Sequence, residues 1–481
     1  MKPSEKSTID NYFYNHNRMF DLTIFDYHRQ IPYKKNISHI FSYWYPFFIK
    51  FIMKSNLLKS SLILIIGGFF TKLLGMIIKM VLARLLPTKI MGQYMMLIPT
   101  FILLINLSQC GFPLAITKLI AEEKNNSKEI FISLLPILLG INSILILSTI
   151  LLSNIISNQL LHNSNLTVPI ISMALVIPFT SLSSICRSYF FGKEQLFPHV
   201  LSNITEDLTR LIIYIIGIPY LIHKKDTLII CFLVLVNIIS EFSSTLILFF
   251  FLPKKISFQK KDFYPKKKII TASLKISIPN TSSRIIGSIA YFLEPILIGS
   301  ILLKEGYKKA FIIKEYGILS GYVIPLVLLP SFFTSAISQA LLPNLAKDYS
   351  RNNQKNVNQK IKLSLLLSFI IGLSATIILI KYSSTLLRII YHTNKGTNYV
   401  LLLAPICLLQ YISYPLTTIL EATGKSLTNF KISTIGAIIR TLVLLITSHC
   451  KIGLNCLIIS INTSIIITTI LLIREVKLIN K

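Results

Sequence analysis

The stretch "SLILIIGGFFTKLLGMIIKMVLARLL", Ser61 to Leu86, is long and apolar enough to cross a bilayer, yet it carries Lys72, Lys79 and Arg84. A rise of about 1.5 Å per residue from Ser61 puts Lys72 near the bilayer centre. A central cation costs about 2.5 to 3.5 kcal/mol on insertion scales, enough to cancel roughly six Leu or Ile residues at about 0.3 to 0.6 each. A purely apolar role does not explain it. Seven residues turn a helix through about 700°, so Lys72 and Lys79 lie within roughly 20° of one face and about 10 Å apart along the axis. Gly68 and Gly75 fall on nearly the same face. A side lined by ammonium groups and glycines suits a hydrated cavity in which an anionic headgroup comes close to the backbone. Arg84 is expected near the far surface, where a long side chain snorkels.

Further polar residues lie inside apolar runs: Asn106, Gln109, Arg187, Glu206, Asp207, Arg210, Glu241, Glu294, Gln339, Glu421 and Arg440. Glu206 and Arg210 are four apart and are expected to pair along one helix. Gln109 and Gln339 are read as weak substrate-contact candidates, since a buried amide also serves simply to bond a neighbouring helix. The acids are candidates for coupling or for structural ion pairs; H⁺, Na⁺ and the membrane potential all remain open as the energy source. No cofactor is expected. The sequence shows no phosphate-cradling glycine loop, no nucleophile with a base partner and no metal-ligand cluster. The cysteines, Cys110, Cys186, Cys231, Cys407, Cys450 and Cys456, lie in or beside apolar runs without ligand spacing and read as small apolar residues.

The elements that must hold these groups are membrane helices. Over 481 residues, 53% are hydrophobic and 14% charged, far from a soluble domain. A spanning helix needs roughly 20 apolar residues, and runs of that kind fall at 61–84, 94–117, 130–152, 168–191, 208–222, 227–252, 272–301, 318–343, 361–382, 399–422, 429–448 and 453–473. The net charge of +30 sits mainly in short loops between them, which argues for topology and against nucleic acid as a partner. Alternate loops and the tail hold 19 Lys and Arg on one side against 10 on the other, and the segment before residue 61 adds nine to the richer side. Both termini are therefore expected to be cytoplasmic in a multi-pass membrane protein. Residues 1–53 hold Trp44, the single tryptophan, and lack the layout of a signal peptide. Either Met53, followed by "KSNLLKSS", is the true start, or the leader is an interfacial or disordered tail.

The chain also repeats itself. "TKLLGMI" (Thr71 to Ile77) returns as "SRIIGSI" (Ser283 to Ile289) at an offset of 212, placing Arg284 where Lys72 stands. "PTFILLINLSQCGFP" from Pro99 lines up with "PSFFTSAISQALLP" from Pro330, and Gly192–Lys193 with Arg210 downstream parallels Gly424–Lys425 with Arg440. An offset of six spans, an even number, keeps both copies in one orientation, so a site is expected near the midplane between the halves. The predicted fold is all-α and integral to the membrane, about 12 helices in two six-helix lobes related by a parallel repeat. The predicted divisions are a leader (1–53), a first lobe (54–252), a basic cytoplasmic linker (253–271) suited to anionic lipid, a second lobe (272–474) and a tail (475–481). Lys72, Lys79 and Arg284 are expected to share one positively lined cavity.

The residues "SLILIIGGFFTKLLGMIIKMVLARLL", "MGQY" (Met91 to Tyr94), "GFPLAITKLIAEE" (Gly111 to Glu123) and "RSYFFGKEQLFPHVLSNITEDLTRL" (Arg187 to Leu211) resemble the bacterial polysaccharide-type flippases. That family includes the stage V sporulation protein B group and is related to the lipid II flippases. The resemblance covers about 54–474 and implies the two-lobed fold of the multidrug/oligosaccharidyl-lipid/polysaccharide exporters, working by alternating access on an undecaprenyl-diphosphate saccharide. Lys72 stands where many relatives have arginine, which keeps the charge and loses the bidentate fork. Pro87 stands where relatives often have glycine. The lipid II group commonly has fourteen spans, so a count of twelve assigns no lipid II. The implied partners are the lipid-linked saccharide and membrane lipids, with a monomer as the working unit. A multidrug exporter is the runner-up, disfavoured because the first span has no acid for a cationic drug. A membrane glycosyltransferase or polymerase is disfavoured because 153–167, an outer loop, has no acid at all.

Overall fold

The computed structural model describes residues 56–122, 127–252, 266–351 and 353–479. The chain divides into units Met1–Lys59 and Ser60–Lys481. The predicted leader lies outside the described residues, as does most of the basic linker, 253–265. Everything described is helix and short connection. The first half holds α1 (Asn56–Leu85), α2 (Thr88–Gln109), α3 (Phe112–Ala121), α4 (Ser127–Asn154), α5 (Thr167–Gly192), α6 (Leu196–Leu221) and α7 (Asp226–Phe251). The second holds α8 (Lys267–Lys304), α9 (Lys309–Ile318), α10 (Ile324–Leu328), α11 (Ser331–Ser350), α12 (Gln354–Lys381), α13 (Ser383–Tyr391), α14 (Thr397–Ala422), α15 (Ser426–Ser448) and α16 (Asn455–Ile479).

Eleven helical stretches among the described residues are long and apolar enough to cross a membrane. The twelfth, α6, runs 26 residues but carries Glu206, Asp207 and Arg210 along one side. Charge is also why the fifth span, expected at 208–222, was read too short. Two predicted spans cross breaks. The second, 94–117, is interrupted at Cys110 and Gly111, whose φ values of 44° and 67° are left-handed. Gly111 is required there twice over: a Cβ would come 2.3 Å from Thr281 Oγ1 and 2.8 Å from the Ser277 carbonyl of α8. The eighth, 318–343, breaks at Leu329 and Pro330, and its crossing segment is Lys309–Leu328 instead. At the C-terminal end α16 continues to Ile479, past the predicted edge at 474.

The repeat expected from sequence is visible in how the helices pair. In the first half α5 packs against α3, α4 and α7, and α7 against α6. In the second, α14 packs against α11, α12 and α16, and α16 against α15, the same pattern with each helix replaced by its counterpart. The fold is thus two six-helix lobes in parallel repeat. Apolar residues such as Ile144, Leu151, Phe250 and Ile446 stay exposed on the outer helices, as helices surrounded by lipid require.

Between the halves, α2 packs along α9, and glycine lets it do so. A Cβ on Gly92 would sit 2.0 Å from the Ile313 carbonyl oxygen, and one on Gly317 would sit 2.5 Å from the Gly92 Cα. Met91, Tyr316 and Leu319 are fully buried beside this seam. Farther along, α8 packs on α2 and α3. Its counterpart α1 makes only sparse contacts, the closest being Gly67 against Val200 of α6. Replacing Gly92 with alanine is expected to force α2 and α9 apart at a cost of about 1 to 3 kcal/mol, read as a lower melting temperature of the detergent-solubilised protein. Unchanged melting would show that the seam is looser than drawn.

Candidate functional site

Where the two halves face each other below the α2/α9 seam lies a cavity of about 710 Å³. α1 contributes Gly75, Lys79 and Leu82; α2 contributes Tyr94 through Ile105. α6 and α7 bring Glu206, Arg210, Tyr214, Asn237 and Glu241, and the second half supplies Tyr291, Glu294, Gln410, Tyr414 and Arg440. The repeat holds at the level of single residues. Arg210 and Arg440, matched in sequence, both line this cavity, and Lys79 faces it with its counterpart Tyr291.

Ionised groups buried this deeply must be compensated, and most are. Arg187 of α5 donates to Glu206 Oε2 at 2.6 Å and to Glu241 Oε2 at 2.5 Å, with further bonds to Asn203 Oδ1 at 2.8 Å and Ser183 Oγ at 2.7 Å. Arg210 donates to Glu206 Oε1 at 2.5 Å, the i,i+4 pair expected from sequence, and to Asp207 Oδ1 at 3.2 Å. Three helices of the first half are thereby tied together through two guanidinium groups. In the second half Arg440 of α15 pairs with Glu294 of α8, and the Tyr316 hydroxyl donates to the same carboxylate at 3.3 Å. Glu294 is 4% exposed, so the pair carries its whole charge balance. Arg210 Nε and Arg440 Nε are both buried without a hydrogen-bond partner in the structure.

A second chamber of about 520 Å³ adjoins the first. Gln109, Thr117, Arg187, His199, Asn203, Glu241 and Arg284 line it, and Glu241 lines both spaces. Their order along the helices agrees throughout. On α2 the seam comes first at Gly92, the cavity follows from Tyr94 to Ile105, and the second chamber begins at Gln109. On α6 His199 and Asn203 belong to the second chamber, and Glu206 and Arg210 to the first. On α8 Arg284 and then Tyr291 repeat the sequence. The Arg187–Glu241 pair is the partition.

The structure does not bring the predicted cations together. Lys79 reaches the central cavity, and no acid among the described residues pairs with it. Lys72 lines neither chamber: its ammonium donates to Ser335 Oγ of α11 at 2.5 Å. Arg84 sits at the other end of α1, where it donates to the carbonyls of Ile389 at 2.6 Å and Ile390 at 2.7 Å, closing the last turn of α13. Arg284 lies in the second chamber with Gln109. Gln339 is exposed beside Gly68. Each half's first helix does bond the broken helix of the other: Lys72 of α1 donates to Ser335, and Ser288 of α8 accepts from Asn106 Nδ2 at 2.5 Å. Sequence reasoning passed over Arg187 and His199 as site residues. Arg187 stood inside an apolar run as plainly as Arg210, and that was the available signal. His199 had none.

Residues 57–348 match the family described as polysaccharide biosynthesis protein. Among proteins of Bacillus subtilis (strain 168), the chain is 29% identical over 434 residues to the stage V sporulation protein B, covering 87% of this chain and 83% of that one. It is 22% identical over 417 residues to the lipid II flippase MurJ, covering 78% and 74%. Among solved structures, the lipid II flippase MurJ in an inward closed conformation superimposes with a TM-score of 0.67 at 16% identity, covering 86% of this chain and 87% of that one. An inward-facing multidrug resistance transporter of the MATE family and MOP superfamily gives 0.64 at 14%, covering 83% and 92%. The chain belongs to the polysaccharide biosynthesis protein family, and it shares its fold with solved flippase and exporter structures.

Proposed function

We propose that this protein moves a lipid-linked saccharide, with an undecaprenyl-diphosphate carrier or a peptidoglycan precursor as its class, from the cytoplasmic to the outer leaflet by alternating access. The observation that carries the reading is the central cavity between the halves. Its one lysine, Lys79, has no acid partner among the described residues, and Gln410 and Tyr414 line the same space with uncharged polar groups. A saccharide headgroup needs donors of this kind. Its diphosphate needs a cation so that bare charge does not cross hydrocarbon. The polyprenyl tail stays in lipid, beside the sparsely packed α1. The relatives named for sporulation and for lipid II support a cell-wall or cortex precursor over a drug.

A multidrug exporter of the same superfamily remains the second reading, and one observation favours it: Glu206, Glu241 and Glu294 line the cavity, although the first span has no acid. Each of the three is bonded to an arginine, however, which leaves none free for a cationic drug. With the charge bias of the loops, the proposed orientation places both termini, the linker 253–271 and the second chamber on the cytoplasmic side, with the α2/α9 seam toward the outside. The lobes 54–252 and 272–474 then rock about the seam as a monomer.

Two measurements bear on this. In reconstituted vesicles loaded with a lipid-linked saccharide, Lys79→Gln is expected to cut flipping at least about tenfold, while Lys79→Arg retains most of it; equal rates for Lys79→Gln and wild type would remove the mechanism. Arg440→Gln is expected to destabilise the protein by about 3 to 5 kcal/mol, because Glu294 loses its charge partner, and Glu294→Gln in the same chain should restore most of the loss. Thermal melting of the single and double variants checks this, and a single variant that melts like wild type would mean the pair is dispensable.

A further inference from the structure

Arg284 stands outside the charge balance of the molecule's centre. Over the central cavity and its partition, Lys79, Arg187, Arg210 and Arg440 face Glu206, Asp207, Glu241 and Glu294, so the ionised groups cancel. Among the described residues the one acid lining the second chamber is Glu241, and Arg187 already holds it at 2.5 Å. Arg284 is exposed there and no carboxylate among the described residues pairs with it. Its neighbours in the chamber have spare capacity. Gln109 makes no side-chain hydrogen bond among the described residues. Asn203 uses its carbonyl oxygen on Arg187, which leaves its amide N–H₂ to donate. One uncompensated guanidinium among amide donors is the chemistry of a phosphoanion site.

From these residues we infer that the chamber around Arg284 is a separate binding site for a phosphate or diphosphate group, occupied before the central cavity and divided from it by the Arg187–Glu241 pair. Arg284 lies seven residues before Tyr291 on α8, so the two sites are about 10 Å apart along the helix axis. A neutral central cavity exerts little long-range pull on an anion, whereas Arg284 supplies one at the threshold. The site itself is argued from charge and geometry alone; only its use by a lipid-linked headgroup rests on the function proposed above, and a soluble phosphoanion would satisfy the same donors.

The test uses the full chain in nanodiscs of zwitterionic phosphatidylcholine. Inorganic pyrophosphate binding is measured by calorimetry, and retention of added undecaprenyl diphosphate by native mass spectrometry. Arg284→Gln is expected to weaken binding of at least one of these ligands about tenfold or more, and Arg284→Lys and Lys79→Gln each by less than that. Pyrophosphate binding that undecaprenyl diphosphate does not displace supports the site with a soluble ligand; retention of the lipid alone, lost in Arg284→Gln, supports it with a lipid ligand. The inference is overturned if neither ligand binds the wild type, if Arg284→Gln binds both as wild type does, or if Lys79→Gln weakens binding as much as Arg284→Gln, which would make the two spaces one site. A lowered melting temperature in Arg284→Gln shifts the comparison to Arg284→Lys, which must then bind more weakly than wild type for the site to stand. Loss of flipping in Lys79→Gln with pyrophosphate binding intact would leave both conclusions standing, and normal flipping in that variant would strike only the function proposed above.

Discussion

Charge buried within a membrane span must find its opposite or be neutralised, and this requirement organises the centre of the molecule. Removing Arg187 would leave two carboxylates 11% and 9% exposed with one arginine between them. Such clusters contribute little net stability against an apolar core, because desolvation offsets most of the Coulombic gain. What they fix is geometry. Arg187 joins α5 to α6 and α7, and Arg440 joins α15 to α8, so each half is tied internally by buried ion pairs, while at the surface Lys266 at the start of α8 pairs with Glu129 of α4 at 2.7 Å. A rigid lobe on each side of a polar cavity is the mechanical result.

Contact between the halves is of a different kind at each end of the cavity. On the Gly92 side two backbones approach closely and large apolar groups are fully buried. On the Gln109 side the link from α1 to the second half runs through Lys72 and Ser335, and that from α2 to α8 through Asn106 and Ser288. Arg84 adds bonds to the carbonyls of α13 on the first side. The Gln109 side is closely packed as well, Gly111 against Ser277 and Phe112 and Ile116 in one cluster with Ile269 of α8, so the two ends differ in the exchangeable hydrogen bonds along one flank of that side.

Much of this was legible in the sequence, and what was not has a physical cause. The repeat gave the two-lobed fold, the counterpart relation of Arg210 and Arg440, and the i,i+4 pair of Glu206 with Arg210, because all three depend on spacing along the chain. Hydropathy located the spans but not their breaks: Cys110 and Gly111 interrupt a helix within an uninterrupted apolar run, and only the close approach of Ser277 and Thr281 shows why glycine is needed. Partners 146 residues apart, such as Glu294 and Arg440, are invisible to periodicity. The shared cavity for Lys72, Lys79 and Arg284 failed for a similar reason. Positions 72 and 79 lie on one helix face, yet Ser335, from the other half, reaches position 72 and takes its ammonium.

The asymmetry between α1 and α8 completes the physical picture. The repeat makes them equivalents, yet α8 packs on α2, α3 and α15 while α1 lies against its neighbours with few close approaches. A net hydrogen bond contributes only about 0.5 to 1.5 kcal/mol, so the Lys72–Ser335 contact holds α1 no more tightly than thermal populations of a few per cent would break. Opening the α2/α9 seam means exposing Met91, Tyr316 and Leu319, at roughly 1.5 to 3 kcal/mol for each large apolar side chain. Displacing α1 as a whole carries a comparable cost, since Ile78 and Leu82 are buried on it and Arg84 is bonded to α13. That displacement would uncover the cavity wall that carries Gly75 and Lys79, sideways toward lipid, while the seam stays shut. A headgroup carried on a long apolar tail needs such a side opening, since the tail never has to leave the bilayer.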